Sequence, residues 1–177
     1  MVNKWVAFFS QTGAEIADLS NKLGRWPDII ITNKRPEELR TIDPRIIKNG
    51  YLEISNKPSE SEINDILQYI NDPIITLHGW LRIMPPELCS SYTIFNGHPG
   101  LITKYPELKG KDPQLKAYNG GYDTIGAVLH RVTAGVDEGP IESWSEISVN
   151  NLSLDETFQT LRDMSLDMWV YFLKKSL

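Results

Sequence analysis

Short apolar runs alternate along the chain with stretches whose apolar residues recur every three or four positions. Val6-Ala7-Phe8-Phe9, Asp28-Ile29-Ile30-Ile31-Thr32 and Ile74-Ile75-Thr76-Leu77 are continuous rather than alternating, the pattern of strands covered on both faces. Thr93-Ile94-Phe95 reads as a further strand and Tyr51-Leu52-Glu53-Ile54 as a shorter one. Between the first two runs, Ser10-Gln11-Thr12-Gly13 turns into a helix with Ile16, Leu19 and Leu23 on one face. Gly24 is placed as its C-cap and Pro27 lies beyond. Ser59 and Glu62 have the spacing of a capping box, and the helix they open gathers Ile63, Ile66, Leu67 and Ile70 before Pro73 stops it. Residues 34–49 are rich in charge and turn formers and carry no clear period.

The later part changes character. Ala127–Val132 and Ile141–Ile147 read as an antiparallel pair around a tight Asp137-Glu138-Gly139-Pro140 loop, the second strand alternating like an exposed edge. Ser153 and Glu156 repeat the capping-box spacing, and the last helix is expected to bury Phe158, Leu161, Met168 or Trp169, and Phe172. Strands alternating with helices predict a mostly parallel α/β sheet flanked by helices, in one domain over residues 1–177. Such sheets bind ligands outside the carboxyl ends of their strands. The turn after the first strand and the segments after the fourth and fifth are therefore the places for a site.

Composition narrows the class. The formal net charge is −5 and the 18 basic residues are scattered, which argues against a nucleic-acid partner. Lys104, Lys109, Lys111 and Lys116 form the nearest approach to a cluster, read either as a solvated loop or as a contact surface for an anion. No run approaches the ~20 apolar residues of a membrane span. A single cysteine, Cys89, precludes an intramolecular disulfide and fits a reducing compartment. The first residues lack the pattern of a secretory signal, so a cytoplasmic location is expected. Three histidines and one cysteine without HxxxH or CxxC spacing point to no metal site.

Phe95-Asn96-Gly97-His98-Pro99-Gly100 ends a buried strand with a carboxamide and an imidazole two residues apart. In extended chain both point to one side. An asparagine amide donates to a developing oxyanion, and an imidazole donates or shuttles a proton. The same pair also describes two polar strand-end caps. Asp137, between Gly135 and Gly139, is either a turn aspartate or a carboxylate that orients an imidazolium. His130 and His78 each read as a core histidine or as a participant.

Together these motifs resemble the glycinamide ribonucleotide transformylase family, within the wider 10-formyltetrahydrofolate-dependent formyltransferases. Gly79-Trp80-Leu81-Arg82-Ile83-Met84 is similar to that family's Gly-Phe-Met-Arg-Ile-Leu. Asn96-Gly97-His98-Pro99-Gly100-Leu101 is similar to Asn-Ile-His-Pro-Ser-Leu, and Lys104-Tyr105-Pro106 matches Lys-Tyr-Pro. His130-x-Val132-Thr133 and Val136-Asp137-Glu138-Gly139-Pro140-Ile141 follow His-x-Val-Thr and Leu-Asp-Gly-Gly-Pro-Val. The match is colinear from about residue 74 to 141.

The resemblance implies a Rossmann-like formyltransferase fold that takes a formyl group from 10-formyltetrahydrofolate to the amine of a small molecule. Asn96, His98 and Asp137 would be its catalytic trio, with protonated His98 assisting Asn96 and His130 behind them. The folate would be held largely by main chain of Leu81, Arg82, Ile83 and Met84, and of Ala134, Gly135, Val136, Glu138 and Gly139. The acceptor would lie on Thr12, Gly13, Ala14 and Glu15, with His130. That first loop departs from the family's Gly-Asn-Gly-Ser-Asn, which cradles a phosphate. Glu15 stands where the asparagine was, and a carboxylate repels phosphate. Ser165 falls near a ribose-binding glutamate of the family and is expected to face a pocket. The acceptor is thus glycinamide ribonucleotide or another amine, such as a nucleotide-linked amino sugar. The alternatives are a 10-formyltetrahydrofolate hydrolase and a non-catalytic folate-binding protein. A formylase of initiator tRNA, which would need a basic appended domain, fits less well. The oligomeric state stays open.

Overall fold

A computed structural model describes residues 3–177. Seven strands form one sheet in the order β3-β2-β1-β4-β5-β6-β7. They are β1 (Trp5–Phe9), β2 (Ile29–Thr32), β3 (Leu52–Glu53), β4 (Ile74–Leu77), β5 (Thr93–His98), β6 (Thr124–Arg131) and β7 (Ile141–Ser148). The first five are parallel, and β6 and β7 are antiparallel additions. The helices are α1 (Ala14–Leu23), α2 (Pro44–Asn49), α3 (Glu60–Leu67), α4 (Pro86–Ser91), α5 (Pro113–Asn119) and α6 (Leu154–Ser176), with 3₁₀ turns at Pro36–Thr41 and Pro106–Leu108.

β1 is buried at every position, as a central strand covered on both faces must be. Its residues divide between two cores. Trp5, Ala7 and Phe9 pack with Ile16 and Leu19 of α1 and Leu166, Trp169 and Leu173 of α6. Val6 and Phe8 pack with Ile63 and Leu67 of α3 and Leu88 of α4. The strand order reverses between β1 and β4, so the crevice there opens at the carboxyl edge.

Several expectations shift in detail. β3 shrinks to two exposed residues. β5 runs on through Asn96 and His98, because β6 pairs with it as far as His98 opposite Val128. β6 begins at Thr124, and the connection to β7 spans residues 132–140 rather than a tight four-residue loop. Ser59 caps α3 by accepting from Glu62 N, but the Glu62 carboxylate accepts from Ser55 N at 2.7 Å, so that capping box is half made. The Ser153 box at α6 is complete. The inner face of α6 carries Thr157, Leu161, Ser165, Leu166, Trp169 and Leu173. Phe158, expected inside, is exposed, because the stripe runs at four-residue spacing from Thr157. Met168 and Phe172 are half-buried beside it.

Candidate active site

Asn96 and His98 lie on one face of β5, and the antiparallel register sets His130 of β6 directly opposite Asn96. Cross-strand partners share a face, so three polar side chains project from neighbouring positions of a sheet otherwise lined by Ile75, Leu77 and Ile94. The 132–140 connection folds back and delivers a fourth. Asp137 sits at φ 52°, a left-handed conformation that aspartate tolerates better than most residues. Gly139 lets the loop return: a Cβ there would stand 1.7 Å from the Arg131 carbonyl oxygen.

The carboxylate of Asp137 joins the group. Oδ1 lies 3.3 Å from His130 Nε2, and Oδ2 lies 3.4 Å from His98 Nδ1. Gly110 N donates to Oδ2 at 2.8 Å. Asn96 Nδ2 is 3.4 Å from His130 Nε2. His98 Nε2 donates to the Leu108 carbonyl at 2.8 Å, which leaves Nδ1 aimed at the carboxylate. Burial raises the affinity of Asp137 for a proton, but His130, His98 and the Gly110 amide together outweigh it and hold the carboxyl below its usual range. For His98 burial is the largest influence. It lowers the imidazole below its ordinary value, and Asp137 and the Leu108 carbonyl recover only part of that. His98 is thus disposed to be neutral here, against the expectation of an imidazolium. His130 stands between Asn96 and Asp137 rather than behind them, a placement that the i, i+2 pattern of Asn96 and His98 alone could not reveal.

Two segments border this group. Loop 78–84 leaves β4 at the carboxyl edge. Leu81 N donates to Ser10 Oγ at 3.0 Å, and Arg82 fastens to Asn56, with Nε on the carbonyl at 2.9 Å and Nη2 on Oδ1 at 2.7 Å. Met84 is buried and shares an apolar cluster with Trp80 and Val132, which brings this loop beside the start of the 132–140 connection. Leu81, Ile83 and Val136 stay exposed. Ala134, Gly135 and Glu138 complete the connection. Asp137, Glu138 and Gly139 also border a cavity of about 190 Å³ with Lys109 and Thr103.

At the end of β1, Thr12 Oγ1 accepts from Ala14 N at 3.2 Å, and Gly13 precedes α1 in a left-handed conformation. Glu15, in the first turn of α1, accepts from His78 Nδ1 at 2.6 Å. Ser165 is buried on α6. The lysines do not gather about one point: Lys104 donates to Thr124 Oγ1 and Lys116 to the Lys109 carbonyl. Among the described residues no group of three or more His, Cys, Asp or Glu side chains is placed to hold a metal ion, and no helix is long and apolar enough to cross a membrane.

A model of the family described as formyl transferase matches residues 30–170. The chain belongs to the formyl transferase family. Among its relatives, the formyltetrahydrofolate deformylase of Bacillus subtilis (strain 168) is 28% identical over 137 residues, covering 74% of this chain and 41% of that protein. The phosphoribosylglycinamide formyltransferase of Escherichia coli (strain K12) is 33% identical over 89 residues, 49% of this chain and 40% of the other. The chain thus spans about two fifths of the length of these relatives. A phosphoribosylglycinamide formyltransferase from Campylobacter jejuni subsp. jejuni NCTC 11168 superposes with a TM-score of 0.83 at 19% identity, over 99% of this chain and 97% of that one. At that identity the likeness establishes the Rossmann-like formyltransferase fold, with its mostly parallel sheet flanked by helices.

Proposed function

We propose that this formyl transferase family member moves a formyl group from 10-formyltetrahydrofolate to an amine on a small molecule, with Asn96, His98, His130 and Asp137 as the reacting group. The convergence of these four side chains, from two strands and a folded-back loop, carries the reading. The donor supplies a formyl carbonyl. Asn96 Nδ2 is placed to donate to its oxygen as negative charge develops on attack, which is where such donors act most strongly. Asp137, held ionised beside both imidazoles, takes the proton of the attacking amine as its nitrogen bonds to the formyl carbon. The bond from that carbon to N10 of the donor then breaks, and the proton passes to N10 as tetrahydrofolate leaves. The loops of Leu81–Met84 and Ala134–Gly139 would hold the donor, the exposed Leu81, Ile83 and Val136 meeting its apolar faces. Acceptor contacts fall to Thr12, Gly13, Ala14 and Glu15.

The test is consumption of 10-formyltetrahydrofolate, followed by absorbance, with and without a panel of amines. Amine-dependent turnover that falls by about 10²–10³-fold in Asn96→Ala supports the reading. Near-wild-type turnover in that variant would remove Asn96 from the chemistry. A second reading takes water as the acceptor. Two observations favour it: the cavity of about 190 Å³ against Asp137 has room for several waters, and one relative is a formyltetrahydrofolate deformylase. Formate release without any amine distinguishes it.

A further inference from the structure

His78 and Glu15 take no part in the group around Asp137, yet they form the shortest His–carboxylate contact among the described residues. His78 is 4% exposed and lies against Trp169 with ring centroids 4.8 Å apart and planes tilted by 46°. Its two nitrogens have different partners, and with the ring neutral one arrangement joins them into a chain that ends on the carboxylate. Trp5 Nε1 can only donate, and does so to Thr76 Oγ1 at 2.8 Å. The hydroxyl proton of Thr76 is then free for His78 Nε2, 2.8 Å away. A carboxylate can only accept, so the imidazole proton facing it sits on Nδ1 and donates to Glu15 Oε1 at 2.6 Å. The chain runs from the bottom of β1, through β4, to a carboxylate at the mouth of the crevice where the strand order reverses.

Glu15 is the end of this chain and its only part in contact with solvent, its side chain 31% exposed. The bond from His78 occupies one oxygen and immobilises the group. No lysine or arginine forms an ion pair with Glu15 among the described residues, and the cations on the neighbouring helices are engaged elsewhere: Arg45 with Asp18 and Asp43, and Arg162 with Asp18. A carboxylate held rigidly by buried groups, without a neutralising cation, at the ligand edge of a parallel sheet is suited to accept hydrogen bonds from a bound molecule.

We propose that Glu15 reads the acceptor, selecting a small amine that also carries a hydroxyl or second ammonium group and disfavouring one that carries a phosphate. This rests on the reading of the chain as a formyltransferase, and His78 is the positioning residue that fixes the carboxylate. The buried cation at the end of the adjacent strand, Lys34, 3.5 Å from the Ser10 carbonyl oxygen, offers the opposite preference, and the experiment separates the two.

Binding is measured by titration calorimetry, without folate, for three probes of matched length: 1,3-diaminopropane, 3-aminopropanol and its phosphate ester. Wild-type protein is expected to prefer the first two over the ester by about ten-fold or more, the range of a charge-assisted hydrogen bond. Glu15→Gln should lose that preference while retaining its fold by circular dichroism. Tighter binding of the ester, an unchanged preference in Glu15→Gln, or no saturable binding of the diamine and the alcohol would each overturn the proposal. Parallel assays of formyl-folate consumption report on the chemistry separately. Selective binding without any turnover would sink the formyltransferase reading and leave the carboxylate's selectivity standing.

Discussion

At His98 two influences act in opposite directions. Burial disfavours the charged ring, while the Asp137 carboxylate 3.4 Å from Nδ1 favours it, and burial dominates. A depressed pKa in the folded state means that the unfolded chain takes up the proton first as pH falls. The stability contributed is therefore complete above the ordinary imidazole range and is lost as pH falls through the lowered value. Asp137, also depressed, adds a second loss lower down, below the ordinary carboxylate range. His98→Gln is expected to remove the upper stage only. Melting temperatures measured from pH 7.5 to 5 should fall less steeply in the variant, and parallel curves would show that another group titrates. Gly97, between the two site residues, answers to packing instead. It stands where the related segment has isoleucine, and a Cβ there would lie 2.6 Å from Trp169 Nε1. Gly97→Ala must push the indole aside, which should cost about 1–3 kcal/mol in chemical denaturation.

Among elements, α6 has the largest share in closing the sheet. Trp169 is 1% exposed and packs edge-on against Phe172 and over His78. Truncating it to alanine should cost about 3–5 kcal/mol. Trp169→Phe should cost under about 1.5 kcal/mol, because the indole Nε1 has no hydrogen-bond partner to lose. Trp144 on β7, 60% exposed, serves as the control: its alanine variant should stay within about 0.5 kcal/mol of wild type. Urea denaturation checks all three. The strands were readable because β1, β2 and β4 are continuous apolar runs with nothing else to become. α2, α4 and α5 were not, since six or seven residues give too few turns for a period to show. Phe158 misled because apolarity alone does not choose a face. The true stripe starts at Thr157, whose hydroxyl donates to the Ser153 carbonyl at 2.9 Å and so can be buried.

Across the whole molecule, the proposed trio of Asn96, His98 and Asp137 is legible as residue types at colinear offsets, but its closure is not. That Asp137 meets both imidazoles depends on a nine-residue connection doubling back across the sheet, and no local pattern encodes that path. The pair of Glu15 and His78 joins positions 63 residues apart, and no local spacing links a glutamate at a helix start to a histidine at a strand end across that separation. The same long-range logic governs loop 78–84. Its backbone is tied to β1 through Ser10, and its Arg82 side chain reaches outward to Asn56 rather than into the site. If main chain of this loop holds the formyl donor, Arg82 acts by keeping that backbone ordered before binding. Arg82→Ala should then raise KM for 10-formyltetrahydrofolate roughly ten-fold, equivalent to about 1.4 kcal/mol of ordering, with kcat little changed. Asn56→Ala removes the side-chain half of the anchor and the Asn56 Nδ2 bond to the Asn33 carbonyl, but the Asn56 carbonyl still accepts from Arg82 and from Asn33 Nδ2, so it should have a smaller effect. The double variant is expected to match Arg82→Ala alone, since both substitutions break one connection. Fully additive losses would mean that Arg82 touches the donor itself, and a fall in kcat without a change in KM would place the loop's contribution in the chemical step instead.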